Sequence, residues 1–280
     1  MKPEVVLVTG CSTGIGRAIA QMLATEGYEV VATARKPEDL EGIGAAMSLR
    51  LDVTDEASIE AAVRTVLERH GQIDVLVNNA GYALRGAVEE VEVAAVQAMF
   101  DVNDGIIRLV RAVAPVMREQ GSSRIINIGS IGGKLAAPAN GTYSATKHAV
   151  EGLSDALRLE LGAFGIDVVV LKPGNIASGF QETAMRGSGS LLAREGSPYR
   201  VLYTRFVAAT QRPRAGEPGP EVVAGVVLAA LRTRRPRARY KAAVPLATRI
   251  VASLPDRFRD LSLRRMYGLE SPRPVRPNRP

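Results

Sequence analysis

The sequence predicts an α/β fold: a doubly wound parallel sheet with helices on both faces, built as a single domain with a C-terminal helical extension. Three observations predict it. Short apolar, β-branched runs alternate with longer helical patterns. A glycine-rich segment joins the first run to the first helical pattern. The 280 residues are 46% hydrophobic and 23% charged, an ordinary globular composition with enough chain for one sizeable core. Alternation of this kind gives right-handed βαβ units, with ligands at the carboxyl ends of the strands.

The elements follow in order. Glu4–Thr9 is an apolar run ended by Gly10 and reads as a buried parallel strand. Ile15–Glu26 places Ile15, Ile19, Met22 and Leu23 on one side, with Gly27 at its end, and reads as a helix. Tyr28–Ala34 is a second strand, and Asp55–Arg69 a helix with Ile59, Val63, Val66 and Leu67 inward. Asp74–Val77, Arg124–Ile128 and Asp167–Leu171 are further strands, separated by long helical patterns at Val93–Glu119 and Tyr143–Phe164. From residue 179 to 219 the pattern loosens, with six glycines and three prolines. Its position predicts an irregular substrate lid, with Phe180, Met185, Leu191, Leu192, Tyr199, Tyr203 and Phe206 as candidate lid residues. Pro220–Leu231 is helical again, and Arg239–Val244 is a plausible last strand. The domain is taken as residues 1–244. Residues 245–280 form a basic helical extension in which Leu246, Ile250, Val251, Leu254, Phe258, Leu261, Met266 and Tyr267 alternate with arginines. Its tip, Ser271–Pro280, holds four prolines and is expected to be disordered.

Charge and cysteine use narrow the function classes. Residues 232–280 carry fourteen Lys/Arg against three acids, a local +11 that leaves −4 for residues 1–231 out of the total of +7. A slightly acidic body argues against a nucleic-acid binder. The tail has three readings: helices closing the substrate end, a surface making weak contact with anionic lipid, or a dock for an acidic partner or phosphorylated carrier. The single cysteine, Cys11, suits a reducing cytoplasm, and the N-terminus has no signal-peptide pattern. Two histidines and one cysteine do not build a catalytic zinc site, so no metal is expected. Cys11 has no partner for catalysis, and His148, next to Lys147, points off the catalytic face.

Thr9–Gly16, between the first strand and first helix, has the spacing of a phosphate cradle. Gly10 allows the tight turn, Gly14 lets backbone approach a pyrophosphate, and Gly16 lets the helix pack closely. The helix N-terminus then offers amides and a positive dipole end. At the end of the second strand, where NAD sites carry an acid, Ala34 is followed by Arg35 and Lys36. A cation there suits a 2′-phosphate and predicts NADP(H) rather than NAD(H), unless Arg35 is simply solvated.

Tyr143 and Lys147 lie four apart, on one helix face. An ammonium beside a phenol favours the phenolate and makes the tyrosine a usable proton donor or acceptor. Ser130 lies upstream of the pair.

With these motifs in this order, residues 4–232 resemble the short-chain dehydrogenase/reductase family, whose fold is the Rossmann-type doubly wound sheet. The resemblance implies a cofactor held by Gly10, Ser12, Thr13, Gly14, Ile15 and Gly16, with Arg35 at the ribose and Asp52 and Val53 at the adenine. Asn79, Ala80 and Gly81 would border it, and Pro173, Gly174, Ile176 and Ser178 would lie beside the nicotinamide. Asn103, Ser130, Tyr143 and Lys147 fall where the family keeps its catalytic tetrad. Tyr143 would exchange the proton, and Lys147 would lower the tyrosine pKa and hold the ribose. Ser130 would orient the carbonyl, and Asn103 would anchor a proton-relaying water. Gly129 stands where the family often has serine, which is read as harmless. The extended tail is more loosely similar to the branch near 17β-hydroxysteroid and retinol dehydrogenases. The expected function is an NADP(H)-dependent oxidoreductase, a carbonyl reductase or alcohol dehydrogenase. It would move hydride between nicotinamide and a small apolar ketone or secondary alcohol, steroid- or retinoid-like. The alternatives are reduction of 3-oxoacyl groups on a carrier protein or CoA, and a non-catalytic NADP(H)-sensing regulator. The family implies a homodimer or homotetramer built on the two long helices.

Overall fold

The computed structural model describes residues 2–211 and 216–269. Val5–Val8 (β1), Glu29–Ala34 (β2), Met47–Arg50 (β3), Val75–Asn78 (β4), Ser123–Ile128 (β5), Ile166–Pro173 (β6) and Arg239–Ala242 (β7) form one sheet. The order is β3-β2-β1-β4-β5-β6-β7, and every pairing is parallel. The order reverses between β1 and β4, where the strands part and leave a crevice at their carboxyl ends.

Alternate strand residues feed two cores. Val6, Val8, Val30, Val77, Ile126 and Leu171 pack with Gly14–Thr25 (α1) and Glu221–Arg232 (α8). Val5, Leu7, Val31, Leu76, Ile125 and Val168 pack with Glu56–His70 (α2), Ile106–Gln120 (α4) and Gly141–Gly162 (α5). Asp55 caps α2, accepting from the amides of Ala57 and Ser58, and Gly71 ends it in the left-handed region. Across the second core, Asn78 Nδ2 donates to Asn127 Oδ1 and Asn127 Nδ2 to Ser154 Oγ, each at 2.8 Å. This buried chain joins β4, β5 and α5 in one register.

The structure differs from the sequence expectation in three places. Strand β3 was not foreseen, because its residues alternate between half-buried and exposed and include Ser48 and Arg50. The pattern at Val93–Glu119 is two helices, Val93–Asn103 (α3) and α4. The break falls at Gly105, where a Cβ would stand 2.8 Å from Val53 Cβ. The expected irregular lid is also helical, Gly179–Leu192 (α6) and Arg200–Gln211 (α7). Glycines lower its intrinsic helix propensity, and packing supplies what propensity lacks. Ala184 of α6 sits against Ala83, Met99 and Tyr143, while Leu192, Leu202, Tyr203 and Phe206 cluster with Ala87 and Ala139.

The extension forms Leu246–Val251 (α9) and Asp256–Tyr267 (α10). Leu263 is buried and Tyr267 packs on the lid cluster, while Leu246, Ile250, Phe258, Leu261 and Met266 are exposed. The expected disorder of Ser271–Pro280 lies outside the described residues. Among those described, no helix is long and apolar enough to cross a membrane.

Candidate active site

The crevice between β1 and β4 is shaped by backbone that approaches too closely for side chains. Gly10 has φ 70°, and a Cβ on it would lie 2.9 Å from Ala80 Cα. A Cβ on Gly16 would lie 2.2 Å from Gly10 O and 2.4 Å from Asn79 Nδ2. Gly16 is therefore required by contact between α1 and its own entry turn, more than by contact with the sheet. Gly14, at φ 58°, faces Ser178. Ser12 is half-buried, Thr13 is exposed and makes no side-chain cap, and Ile15 packs on the first core. An uncapped N-terminus behind a glycine turn fits a pyrophosphate, whose oxygens can take the first-turn amides.

Asn79 ties this turn to β4. Its Nδ2 donates to Thr9 O at 2.9 Å and Gly10 O at 3.1 Å, while Thr9 Oγ1 accepts from the amides of Asn79 and Ala80. Asp52 accepts from the amide and hydroxyl of Thr54 and lies below the usual carboxylate range, first through the Thr54 amide and also through the charge of Arg35. Val53 is buried and Arg35 is exposed beside this pair. On the far side, Gly174 donates to Ala242 O, and a Cβ there would lie 2.2 Å from Ala243 O. Pro173 ends β6, Ile176 is buried in the first core and Ser178 precedes α6. Cys11 is fully buried, its Sγ donates to Val8 O, and burial pushes its thiol up to about 12, which leaves it inert.

The first two turns of α5 bring Tyr143 and Lys147 beneath the lid, both buried. Ser130, in the loop after β5, stands beside the Tyr143 phenol, and its Oγ accepts from Gly132 N at 3.0 Å. Gly129 fits tightly here: a Cβ on it would stand 3.0 Å from Val170 Cγ1. The Tyr143 ring lies 5.8 Å from the Phe180 ring of α6. Burial raises the phenol above its ordinary pKa, opposed by the Ser130 hydroxyl and then by the charge of Arg85. Lys147 is not among these causes. Lys147 Nζ is turned to Ile128 O, 2.9 Å away, and stands 5.9 Å from the ring centroid. Burial instead brings Lys147 itself down to about 8, opposed by the charge of Asp104.

Asn103 ends α3 rather than lying mid-helix. Its Oδ1 accepts from Tyr82 N, and its Nδ2 donates to Tyr82 O and Thr146 Oγ1. The amide thus pins the segment after Gly81 to α5, and Gly81 passes so close that a Cβ would meet Asn103 Oδ1 at 2.9 Å. His148 Nδ1 bonds Ser144 O, away from the catalytic pair. A shallow groove of about 650 Å³ between α2 and α4, lined by residues such as Val63 and Ala112, lies outside this set.

Two residues of the site escaped sequence reasoning. Arg85 is buried with its guanidinium carbon 5.3 Å from the Tyr143 ring centroid. Asp104 is half-buried, with Oδ1 unpartnered, and desolvation raises its carboxyl. Neither belongs to a local motif. The neighbours of Arg85 come from 55 and 96 residues away, and only the fold joins them.

A family model described as short chain dehydrogenase matches residues 4–188. A 3-ketodihydrosphingosine reductase from Bacteroides thetaiotaomicron is 34% identical over 274 residues, covering 96% of this chain and all of the relative. Mouse 17-beta-hydroxysteroid dehydrogenase type 1 is 36% identical over 258 residues, covering 86% of this chain and 74% of the relative. Among solved structures, a short-chain dehydrogenase from Streptomyces avermitilis superposes with a TM-score of 0.78 at 35% identity, covering 96% and 98% of the two chains. One from Burkholderia phymatum, in complex with NAD, gives 0.76 at 29%, covering 94% and 95%. The glycine cradle, the serine–tyrosine–lysine cluster at the strand ends and these likenesses make the chain a member of the short-chain dehydrogenase/reductase family, an oxidoreductase using a nicotinamide cofactor.

Proposed function

We propose that this chain is an NADP(H)-dependent oxidoreductase acting on a ketone or secondary alcohol of an apolar substrate. The observation that carries it is a buried phenol beside Ser130, packed against Phe180 and Ala184 of the lid helix α6. The nicotinamide, when bound, supplies or takes the hydride. The residues do the rest. Burial keeps Tyr143 protonated at neutral pH, the state needed to give a proton to a carbonyl oxygen as charge grows there. Ser130 positions that oxygen, and with Arg85 it stabilises the phenolate left behind. Lys147, held by Ile128 O, would reach a ribose hydroxyl, and Gly10, Gly14, Gly16 and the α1 amides would hold the pyrophosphate.

Arg35 supports NADP(H), because it is an exposed cation beside Asp52 at the end of β2. Phe180, Leu84, Ala83 and Met99 around Tyr143 support an apolar substrate. Relatives named for a ketosphingoid and a hydroxysteroid reaction support a ketone or secondary alcohol.

NADPH consumption against a panel of apolar ketones tests the reading. Tyr143→Phe should lower kcat by about 10²–10⁴-fold while NADPH still binds. Equal turnover by wild type and variant would remove Tyr143 as the proton donor. Arg35→Asp should weaken NADPH far more than NADH in fluorescence titrations, and equal losses would remove the case for the 2′-phosphate.

A further inference from the structure

The segment leaving β4 buries a cation that no acid neutralises. Arg85 is 4% exposed. Its Nη1 donates to Asn140 Oδ1 at the head of α5, and its Nη2 to Gln181 Oε1 of α6 at 2.8 Å. Its Nε is buried without a partner. Among the described residues it makes no ion pair with Asp or Glu. Two of its five N–H groups are engaged, so three remain, Nε–H among them. Neutral amides satisfy its geometry but leave its charge uncompensated. The Arg85 main-chain amide also ties this segment to the lid, donating to Ser188 Oγ of α6 at 2.7 Å.

The guanidinium also stands over the ring of the tyrosine that faces the reacting carbonyl. An anion taken by Arg85 therefore lies within a few bonds of that carbonyl. A planar carboxylate matches the remaining N–H groups of the planar guanidinium better than a tetrahedral anion. The rest of such a molecule would meet Phe180, Leu84 and Ala184. We infer that Arg85, supported by Asn140 and Gln181, binds the carboxylate of an apolar oxo or hydroxy acid and sets the substrate choice of this enzyme. The inference rests on Tyr143 being the proton donor, as proposed above.

The test compares 4-oxodecanoate with its methyl ester, using NADPH, the wild-type full chain, Arg85→Gln and Arg85→Lys. Wild type should favour the acid in kcat/KM by at least about tenfold, and Arg85→Gln should reduce that acid-to-ester ratio by about 10–100-fold, mainly through KM. Arg85→Lys keeps charge without the fork and should fall between them, which also covers a Gln variant that does not fold. Loss shared equally by acid and ester would mean a structural role and overturn the inference, as would an ester preferred by wild type. A second arm needs no turnover: calorimetric titration of the NADP-loaded protein with decanoate, decyl phosphate and decanol. Decanoate should bind tightest and lose at least about tenfold in Arg85→Gln. Tighter, Arg85-dependent decyl phosphate binding would overturn the choice of carboxylate. If decanoate binding depends on Arg85 but no carbonyl is reduced, the catalytic reading fails and the carboxylate site stands. Reduction of ketones without acid preference gives the converse.

Discussion

Tyr143 has two buried cations near its ring, Lys147 and Arg85, and burial shifts the phenol up and both cations down. For Lys147 this has a sign that can be worked out. Its folded-state pKa is about 8, against 10.5 ordinarily, with burial as the first cause. Between those values the unfolded chain binds more protons than the folded one, so stability rises with pH there. Below about pH 8 the cost of the buried ammonium is fully present. Lys147→Met should therefore raise the urea midpoint at pH 7, with the gain shrinking towards pH 10, while ketone reduction is lost. A midpoint difference independent of pH would remove burial of the charge as its cause. The Tyr143–Lys147 pair was legible from spacing alone, since residues four apart share a helix face. The direction in which Lys147 points was not, because it follows from Ile128 O at the end of β5.

At the scale of elements, the lid shows where local pattern loses to packing. Helices α6 and α7 come from a glycine-rich stretch and gain their order from contacts with the loop after β4. Tyr203 is central: its hydroxyl accepts from Ala87 N at 3.0 Å and donates to Glu90 Oε2 at 2.5 Å, and Ser197 Oγ donates to the same carboxylate. The Tyr203 hydrogen bond holds Glu90 below the usual carboxylate range. Tyr203→Phe orphans the buried Ala87 amide and should cost about 1–3 kcal/mol, read as a lower Tm, with a raised KM because the lid seats less firmly. An unchanged Tm and KM would show that α7 does not depend on this bond. Strands β1 and β4 were legible because both are buried, β1 being apolar throughout and β4 from Val75 to Val77. Strand β3 was not, since partial exposure mixes polar residues into its run. The split between α3 and α4 depends on Gly105 meeting Val53, a contact between segments far apart in sequence.

At the scale of the whole molecule, α4 and α5 leave Ile107 48% and Leu159 75% exposed. We propose, in line with what the family resemblance implies, that copies of the chain associate through these helices. Leu159→Glu should lower the mass measured by light scattering, and an unchanged mass would place the interface elsewhere. The alternation of apolar runs and helical patterns determined the sheet, its two covered faces and the cradle after β1, because short-range periodicity and glycine spacing are written in neighbouring residues. The same holds for the order of Ser130, Tyr143 and Lys147. Tertiary structure alone decided the helical lid, the separate roles of the two cations at Tyr143, and the enclosure of Arg85 by Asn140 and Gln181. Those depend on burial and on partners tens of residues away, and desolvation acts only once the chain has closed around the charge.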